Sequence, residues 1–352
     1  MKEFINSVKF EPLLDTLRLE KISDEAYFSE RFSCYISNSR LSLIDPTNKE
    51  GNDPKAFFEG LTKHNKFSTS FDLGSAVHMI SLQNELFEIC WDADRPTSKM
   101  GAMADYLYKN YFIKGKEVTK DAVLEASDKC DYYKGKMTQE KITNVHDKCI
   151  KYWKDRAEYE KKYFGGKSLI FLDPKMRDTA QQCIHALQRN SKIQKLLHPE
   201  GIIENPISEN EQAILLDIKA TWEGGETILK LKAKLDNYTI NKETNTICVN
   251  DIKTMFGTVN NFNDNIIKYH YYREMAIYTW LLSLCAKKFY NIENPIIKSN
   301  FLVVSTTPNY YTKIVPMTKQ LFIKGFDEFK FLLKLVISYF EFYQNNPIFV
   351  KL

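Results

Sequence analysis

The chain has 352 residues, 43% hydrophobic and 27% charged, enough apolar content for a buried core in one large domain or two ordinary ones. The 49 Lys and Arg against 45 Asp and Glu leave a net charge of +4, too small an excess to argue for nucleic acid by itself. No run of about 18 uncharged apolar residues occurs and Met1-Lys2-Glu3-Phe4-Ile5-Asn6 carries an early acid, so neither a transmembrane helix nor a secretory signal is expected.

In S-C-Y-I-S-N-S-R-L-S-L-I-D-P, residues 33–46, Ser37 or Ser39 caps a short helix that ends before Pro46. Residues 47–70 read as a polar loop with a helical piece at 54–61. Residues 71–87 form a helix in which Leu73, Ala76, Val77, Ile80 and Leu82 make the apolar face. Gly74 and His78, four apart, stack on one side of it. Residues 92–165 are rich in Lys, Asp, Glu and Tyr and read as a helical insertion, with helices near 100–113, 119–130 and 138–163, ended by Gly165-Gly166. The mixed charge of 119–163 suits a solvated face better than a DNA channel. A brief apolar run, 168–172, precedes Asp173-Pro174, an N-cap and first-position proline for a helix to Arg189, with a shorter one to Leu197.

From residue 205 the periodicity changes. E-Q-A-I-L-L-D-I-K-A-T-W at 211–222 and E-T-I-L-K-L-K-A-K-L-D at 226–236 flank Gly224-Gly225 and alternate as a hairpin. A third strand follows over 246–253, then a long helix over 261–286, strands at 301–305 and 311–317, and a final helix from about Thr318 to Tyr343. The class is mixed α/β, with a mixed central sheet, flanking helices and the helical insertion, as a single catalytic domain over 1–352 whose sheet and flanking helices occupy 205–345.

The chemistry concentrates at V-N-D-I-K-T-M, residues 249–255. In a strand, Asp251 and Lys253 share one face. That suits a solvated sheet edge as well as an active site. Asp236, at the end of the preceding strand, can meet Asp251 across a ladder spaced about 4.8 Å. Two carboxylates that close repel unless a cation lies between them, and Mg²⁺ is the natural hard partner. Lys253 beside them can orient or deprotonate a water, or stabilise charge on a phosphate, which suits phosphodiester hydrolysis.

The order acid, turn, strand, D-x-K, helix resembles the PD-(D/E)XK nuclease superfamily, and most closely its RecE-type phage exonucleases. I-S-N-S-R-L-S-L-I at 36–44, L-G-S-A-V-H at 73–78, F-L-D-P-K-M-R-D-T at 171–179, L-K-A-K-L-D followed by D-I-K-T, Y-Y-R-E-M-A-I-Y at 271–278, and F-L-V-V-S-T-T-P-N-Y-Y-T-K-I-V-P-M resemble that group's motifs in their order. Together they span roughly residues 30–340, which implies a restriction-endonuclease-like core. The resemblance implies that His78, Asp236, Asp251 and the Ile252 carbonyl hold the metal, Mg²⁺ or Mn²⁺, and that Lys253 works on the attacking water. Thr254, Tyr271 and Tyr278 would touch DNA, and Arg40 a 5′-phosphate. Glu274 stands where the family has glutamine, and Leu82-Gln83-Asn84-Glu85 where it has L-E-P-E. Glu211 can serve as an accessory carboxylate.

The implied activity is 5′→3′ digestion of linear double-stranded DNA, leaving a 3′ strand for an annealing protein. A homo-oligomer in the cytoplasm of a bacterial or phage-infected cell is implied as well. An endonuclease of the same chemistry and an inactive DNA-binding protein are the rivals. Plainer readings stand beside the residues: a boundary histidine for His78, core packing for the Tyr271–Tyr278 stripe, a surface arginine for Arg40. The other histidines (64, 146, 185, 198, 270) read as structural. The seven cysteines (34, 90, 130, 149, 183, 248, 285) are scattered and read as reduced thiols, with no clustered set for an iron–sulfur centre.

Overall fold

The computed structural model describes residues 7–48, 53–60, 72–91, 98–133, 137–163, 168–172, 174–200 and 206–344. The expected cap at Asp173 and helix stop at Gly165-Gly166 lie outside them. The class is mixed α/β, as expected: a six-stranded mixed sheet flanked by helices.

The sheet order is β1 (Lys9–Lys21), β4 (Ile207–Trp222), β5 (Gly225–Asn241), β6 (Thr246–Met255), β7 (Ile296–Ser305), β8 (Thr312–Pro316), where β2 (Phe87–Trp91) and β3 (Ser168–Leu172) form a separate parallel pair. Within the large sheet only β6 and β7 run parallel. Short helices α1 (Asp24–Tyr27), α2 (Asn38–Leu41) and α3 (Pro54–Gly60) follow β1. Helix α4 (Asp72–Leu82) precedes β2, and α5 (Ser98–Asn110), α6 (Lys120–Lys129) and α7 (Gln139–Tyr163) lie between β2 and β3. Next come α8 (Pro174–Arg189) and α9 (Ser191–Leu197), then α10 (Phe262–Lys268) and α11 (Tyr271–Tyr290) between β6 and β7, and α12 (Lys319–Gln344) at the end.

Strand alternation explains the layering. On β7, Phe301 and Val303 join the core under α11 and α12, while Leu302 and Val304 join a second core with Ala76, Val77, Cys183 and Leu187 of α4 and α8. A strand buried on both faces reads as an unbroken apolar run, as F-L-V-V does. Helices α5 to α7 hold a third cluster around Trp153, whose indole N–H donates to the Ala104 carbonyl at 2.9 Å.

Several elements differ from expectation. The helix over 71–87 stops at Leu82, and Phe87 opens a strand. The hairpin turn is Glu223-Gly224, since Trp222 pairs with Gly225. Strand β5 continues five residues past Asp236, to Asn241. The long helix over 261–286 is broken between Lys268 and Tyr271, where His270 takes a left-handed conformation at φ 54°.

One row of side chains crosses four strands. Asn210, Asn237, Asn250 and Asn300 are mutual partners in the β4–β5–β6–β7 register. Asn300 Nδ2 donates to Asn250 Oδ1 at 3.0 Å, Asn250 Nδ2 to Asn237 Oδ1 at 2.8 Å, and Asn237 Nδ2 to Asn210 Oδ1 at 2.8 Å. Asn210 Nδ2 in turn donates to the Leu82 carbonyl at the end of α4. Buried amides are tolerated because the row leaves few of their groups unpaired.

Candidate active site

The β5–β6 ladder runs from Asn241–Thr246 to Asn237–Asn250 and ends there. Asp236 and Asp251 are the next residues on each strand, so both acids sit where the two strands part. Asp236 Oδ2 accepts the Ile252 N–H at 2.8 Å, a side-chain bond that spans the parting. The Ile252 N–H therefore faces this edge, and in an extended strand the C=O of the same residue points the same way.

On the other flank of β5, Glu211 lies opposite Asp236, between the Asn210–Asn237 and Gln212–Leu235 pairs. It adopts φ 59°, rare for a side-chain-bearing residue and costly outside special sites. His78, from α4, bridges the two carboxylates: Nε2 is 2.6 Å from Asp236 Oδ2, and Nδ1 is 3.0 Å from Glu211 Oε1. Helix α4 comes this close because Gly74 faces Thr254; a Cβ there would stand 3.3 Å from Thr254 Oγ1. Burial would depress the His78 pKa, but Asp236 and Glu211 raise it well above the ordinary imidazole value. The same pairing holds Asp236 below the usual carboxylate range despite its burial.

Asp251 behaves differently. Burial pushes its carboxyl well above the usual range, Asp236 and Glu274 add to this, and Lys253 opposes it. Lys253 Nζ contacts Asp251 Oδ2 at 2.9 Å and Glu274 Oε2 at 3.1 Å, and lies 4.8 Å from the Tyr271 ring centre. Burial disfavours its charge, yet these acids raise its pKa well above that of a free lysine. These acids favour the ammonium, which in that state can orient a water or meet phosphate charge. Tyr278 donates to Glu274 Oε1 at 3.0 Å. Tyr271, Glu274 and Tyr278 share one half-buried face of α11, as their spacing requires.

The ligand atoms of His78, Glu211 and Asp236 lie within 4.8 Å of one another. Two carboxylates and an imidazole form a donor set for a hard divalent ion. Glu211 Oε1 and Asp251 Oδ2 are buried without a hydrogen-bond donor; His78 and Lys253 approach them outside hydrogen-bond geometry. Such oxygens are costly unless a cation satisfies them, so the residues fit Mg²⁺ or Mn²⁺.

Arg40 stands on α2, a single turn with no dipole worth invoking, and its guanidinium is buried, donating to the Ser33 carbonyl at 2.5 Å. Lys232 lies beside it, donating to the Tyr27 carbonyl at 2.7 Å; burial and Arg40 push its pKa down to about 8. Among the described residues neither cation has a carboxylate within ion-pair distance. Lys234 pairs with Glu211 at 2.7 Å and with Asp24. Sequence reasoning passed over Lys232, Lys234 and Asp24. The alternation in L-K-L-K-A-K-L-D does place both lysines on the face of Asp236.

No family model matches the chain, and no curated protein is similar to it. Among solved structures, a candidate exonuclease from Eubacterium rectale is similar at 11% identity, over 90% of this chain and 86% of that one, with a TM-score of 0.44. Rai1 of Scheffersomyces stipitis, in complex with 3′-NADP⁺ and calcium ion, is similar at 12% identity, over 95% and 84%, with a TM-score of 0.24. At these identities and scores neither likeness bears on the chemistry, which the side chains alone have to supply.

Proposed function

We propose that this chain is a metal-dependent RecE-type exonuclease that digests linear duplex DNA from its 5′ ends. The observation that carries this is the parting of β5 and β6 at Asp236 and Asp251, with the His78–Glu211 pair on one side and Lys253 on the other. Bound by His78, Glu211 and Asp236, with Asp251 beside them, Mg²⁺ would polarise a scissile phosphate and acidify a bound water.

The chain's own groups do the rest. Lys253, kept cationic by Asp251 and Glu274, offers N–H donors to a water or to phosphate oxygen. Glu274 and Tyr278 fix the lysine's position from α11. Arg40 and Lys232, two buried cations with no carboxylate partner among the described residues, supply charge for a terminal 5′-phosphate. Thr254 and Tyr271 flank the path of the strand. The 3′ strand left behind would pass to an annealing protein, and assembly of several copies around the duplex follows from the family likeness alone.

Digestion of linear duplex DNA labelled at either end, with and without Mg²⁺, tests the reading. Loss of the 5′ label as mononucleotide, dependent on metal and absent in Asp251→Ala, is the expected result. Cleavage of closed circular DNA would point to an endonuclease instead. Binding with no turnover in Mg²⁺ or Mn²⁺ would overturn catalysis.

A further inference from the structure

The two oxygens of Glu211 have different neighbours. Oε1 faces His78 Nδ1 at 3.0 Å and is buried without a hydrogen-bond donor, while Oε2 lies 2.7 Å from Lys234 Nζ. A lysine placed only to neutralise a buried acid could approach either oxygen; this one takes the oxygen that His78 does not. Its ammonium is also fixed by a second acid, since Asp24 Oδ1 stands 2.5 Å from the same Nζ. Asp24 opens α1, and that turn is itself fastened to β5. Lys232 Nζ donates to the Tyr27 carbonyl at 2.7 Å and lies 4.4 Å from the Tyr27 ring centre. Two lysines on one face of a strand thus hold one short turn. The Lys234 and Glu211 side chains are 12% and 6% exposed, so water competes little for their pairing. Asp236 is restricted as well, because its Oδ2 already accepts the Ile252 N–H. Neither carboxylate therefore has both oxygens free for an ion.

We infer that Lys234 is a positioning residue that keeps Glu211 a one-oxygen ligand and so sets the preference of the His78–Glu211–Asp236 site for Mg²⁺ over Ca²⁺. This rests on the metal site of the nuclease reading and names the residue that selects its ion. Mg²⁺ demands a near-octahedral shell at about 2.1 Å, which carboxylates offering one oxygen each can join. Ca²⁺ takes roughly six to eight oxygens at longer range and readily draws on both oxygens of one carboxylate. With Oε2 held by Lys234, Glu211 withholds that second oxygen. Asp24 acts one step further out, by holding the lysine.

The test uses the full chain without DNA. Bound Mn²⁺ is read from the loss of the free-ion electron paramagnetic resonance signal, and Mg²⁺ or Ca²⁺ is titrated in to displace it. The wild type is expected to bind Mg²⁺ ahead of Ca²⁺. Lys234→Met keeps the length of the side chain and removes its charge and donors. It should move the Mg²⁺-to-Ca²⁺ affinity ratio toward Ca²⁺ by roughly 10- to 100-fold. Asp24→Asn, at the half-exposed end of the chain of contacts, should move it the same way by less, and decides the matter if Lys234→Met does not fold. A lysine that served the fold alone would weaken both ions together and leave the ratio where it was. An unchanged ratio, a parallel loss of both ions, or a wild type that binds no divalent ion or prefers Ca²⁺ would overturn the inference. A shifted ratio in a protein that leaves linear and circular DNA uncut would uphold it while removing the nuclease reading.

Discussion

Asp236 and Asp251 occupy one cross-strand position, the first past the last β5–β6 pair, yet their surroundings push their pKa values in opposite directions. His78 and the Ile252 amide stabilise charge on Asp236, while burial and neighbouring acids oppose it on Asp251. Asp236→Asn should therefore cost about 1–3 kcal/mol of stability, since it breaks the ion pair with His78. Asp251→Asn should be near neutral or stabilising. Each should reduce metal-dependent hydrolysis by roughly 10²–10⁴-fold. Urea unfolding set beside turnover checks both; equal stability costs would contradict the asymmetry.

Metal binding should release a proton. The His78 proton lies between the two carboxylates that would bind the ion, and a ligating imidazole must give it up. Because the His78 pKa is raised, affinity for Mg²⁺ or Mn²⁺ should climb as pH rises through the neutral range. Calorimetry in buffers of different ionisation enthalpy measures the proton count. In His78→Gln the pH slope should flatten, and a slope that persists would place the proton elsewhere.

Glu274→Gln should keep the Tyr278 hydrogen bond but withdraw one of the two carboxylates that hold Lys253 charged. The lysine pKa then falls toward its ordinary value, so the alkaline limb of the pH–rate profile should move to lower pH. The sign follows from the raised pKa: activity that needs the ammonium is present below it and lost above it. An unmoved limb would mean that another group sets it.

Behind this face of α11, Arg273 is wholly buried and joins three segments. It donates to Asn38, Ser42 and Asp45 near α2 and to Glu328 on α12. Burial would raise the Asp45 pKa, but Thr47 and Arg273 hold it below its ordinary value of 3.8. A depressed carboxylate stabilises the fold above the unfolded pKa and loses that contribution as pH falls through the folded one. Asp45→Asn should be less stable than wild type at neutral pH by about 1–3 kcal/mol, with the gap closing below about pH 4. Denaturation curves from pH 3 to 7 test this.

Gly325 of α12 touches the backbone of α11; a Cβ there would lie 2.5 Å from the Tyr272 carbonyl oxygen and 2.9 Å from Arg273 Cα. Backbone cannot give way as a side chain can. Gly325→Ala should destabilise by about 1–3 kcal/mol and shift the helix that carries Glu274, lowering turnover beyond what the stability loss explains. Thermal unfolding and turnover at a temperature well below the transition separate the two effects.

The parts of the site legible in the sequence were those written in one period. Asp236, Asp251 and Lys253 lie on strands whose alternation and turn are plain, and Tyr271, Glu274 and Tyr278 follow one helical stripe. Strand β1 is not legible in K-F-E-P-L-L-D-T-L-R-L-E-K because its register shifts between Leu13 and Arg18 and it buries only Leu17 fully, so no alternation shows. The break at His270 is a left-handed residue without glycine, fixed by contacts to Tyr272 and Glu328 that apolar spacing cannot reveal. The Lys234–Asp24 pair joins residues 210 apart in the chain.

The asparagine row gives the parted sheet a mechanical property. The ladder between β5 and β6 stops at Asn237 and Asn250, two members of that row. Strain that pulls these strands apart at the acids arrives next at a stitch running through four strands and into the end of α4. A tear begun at the cleft would have to break the side-chain stitch together with the backbone pairs behind it. The row thus works as a rivet at the end of a slit, holding the closed part of the sheet shut behind the parted acids.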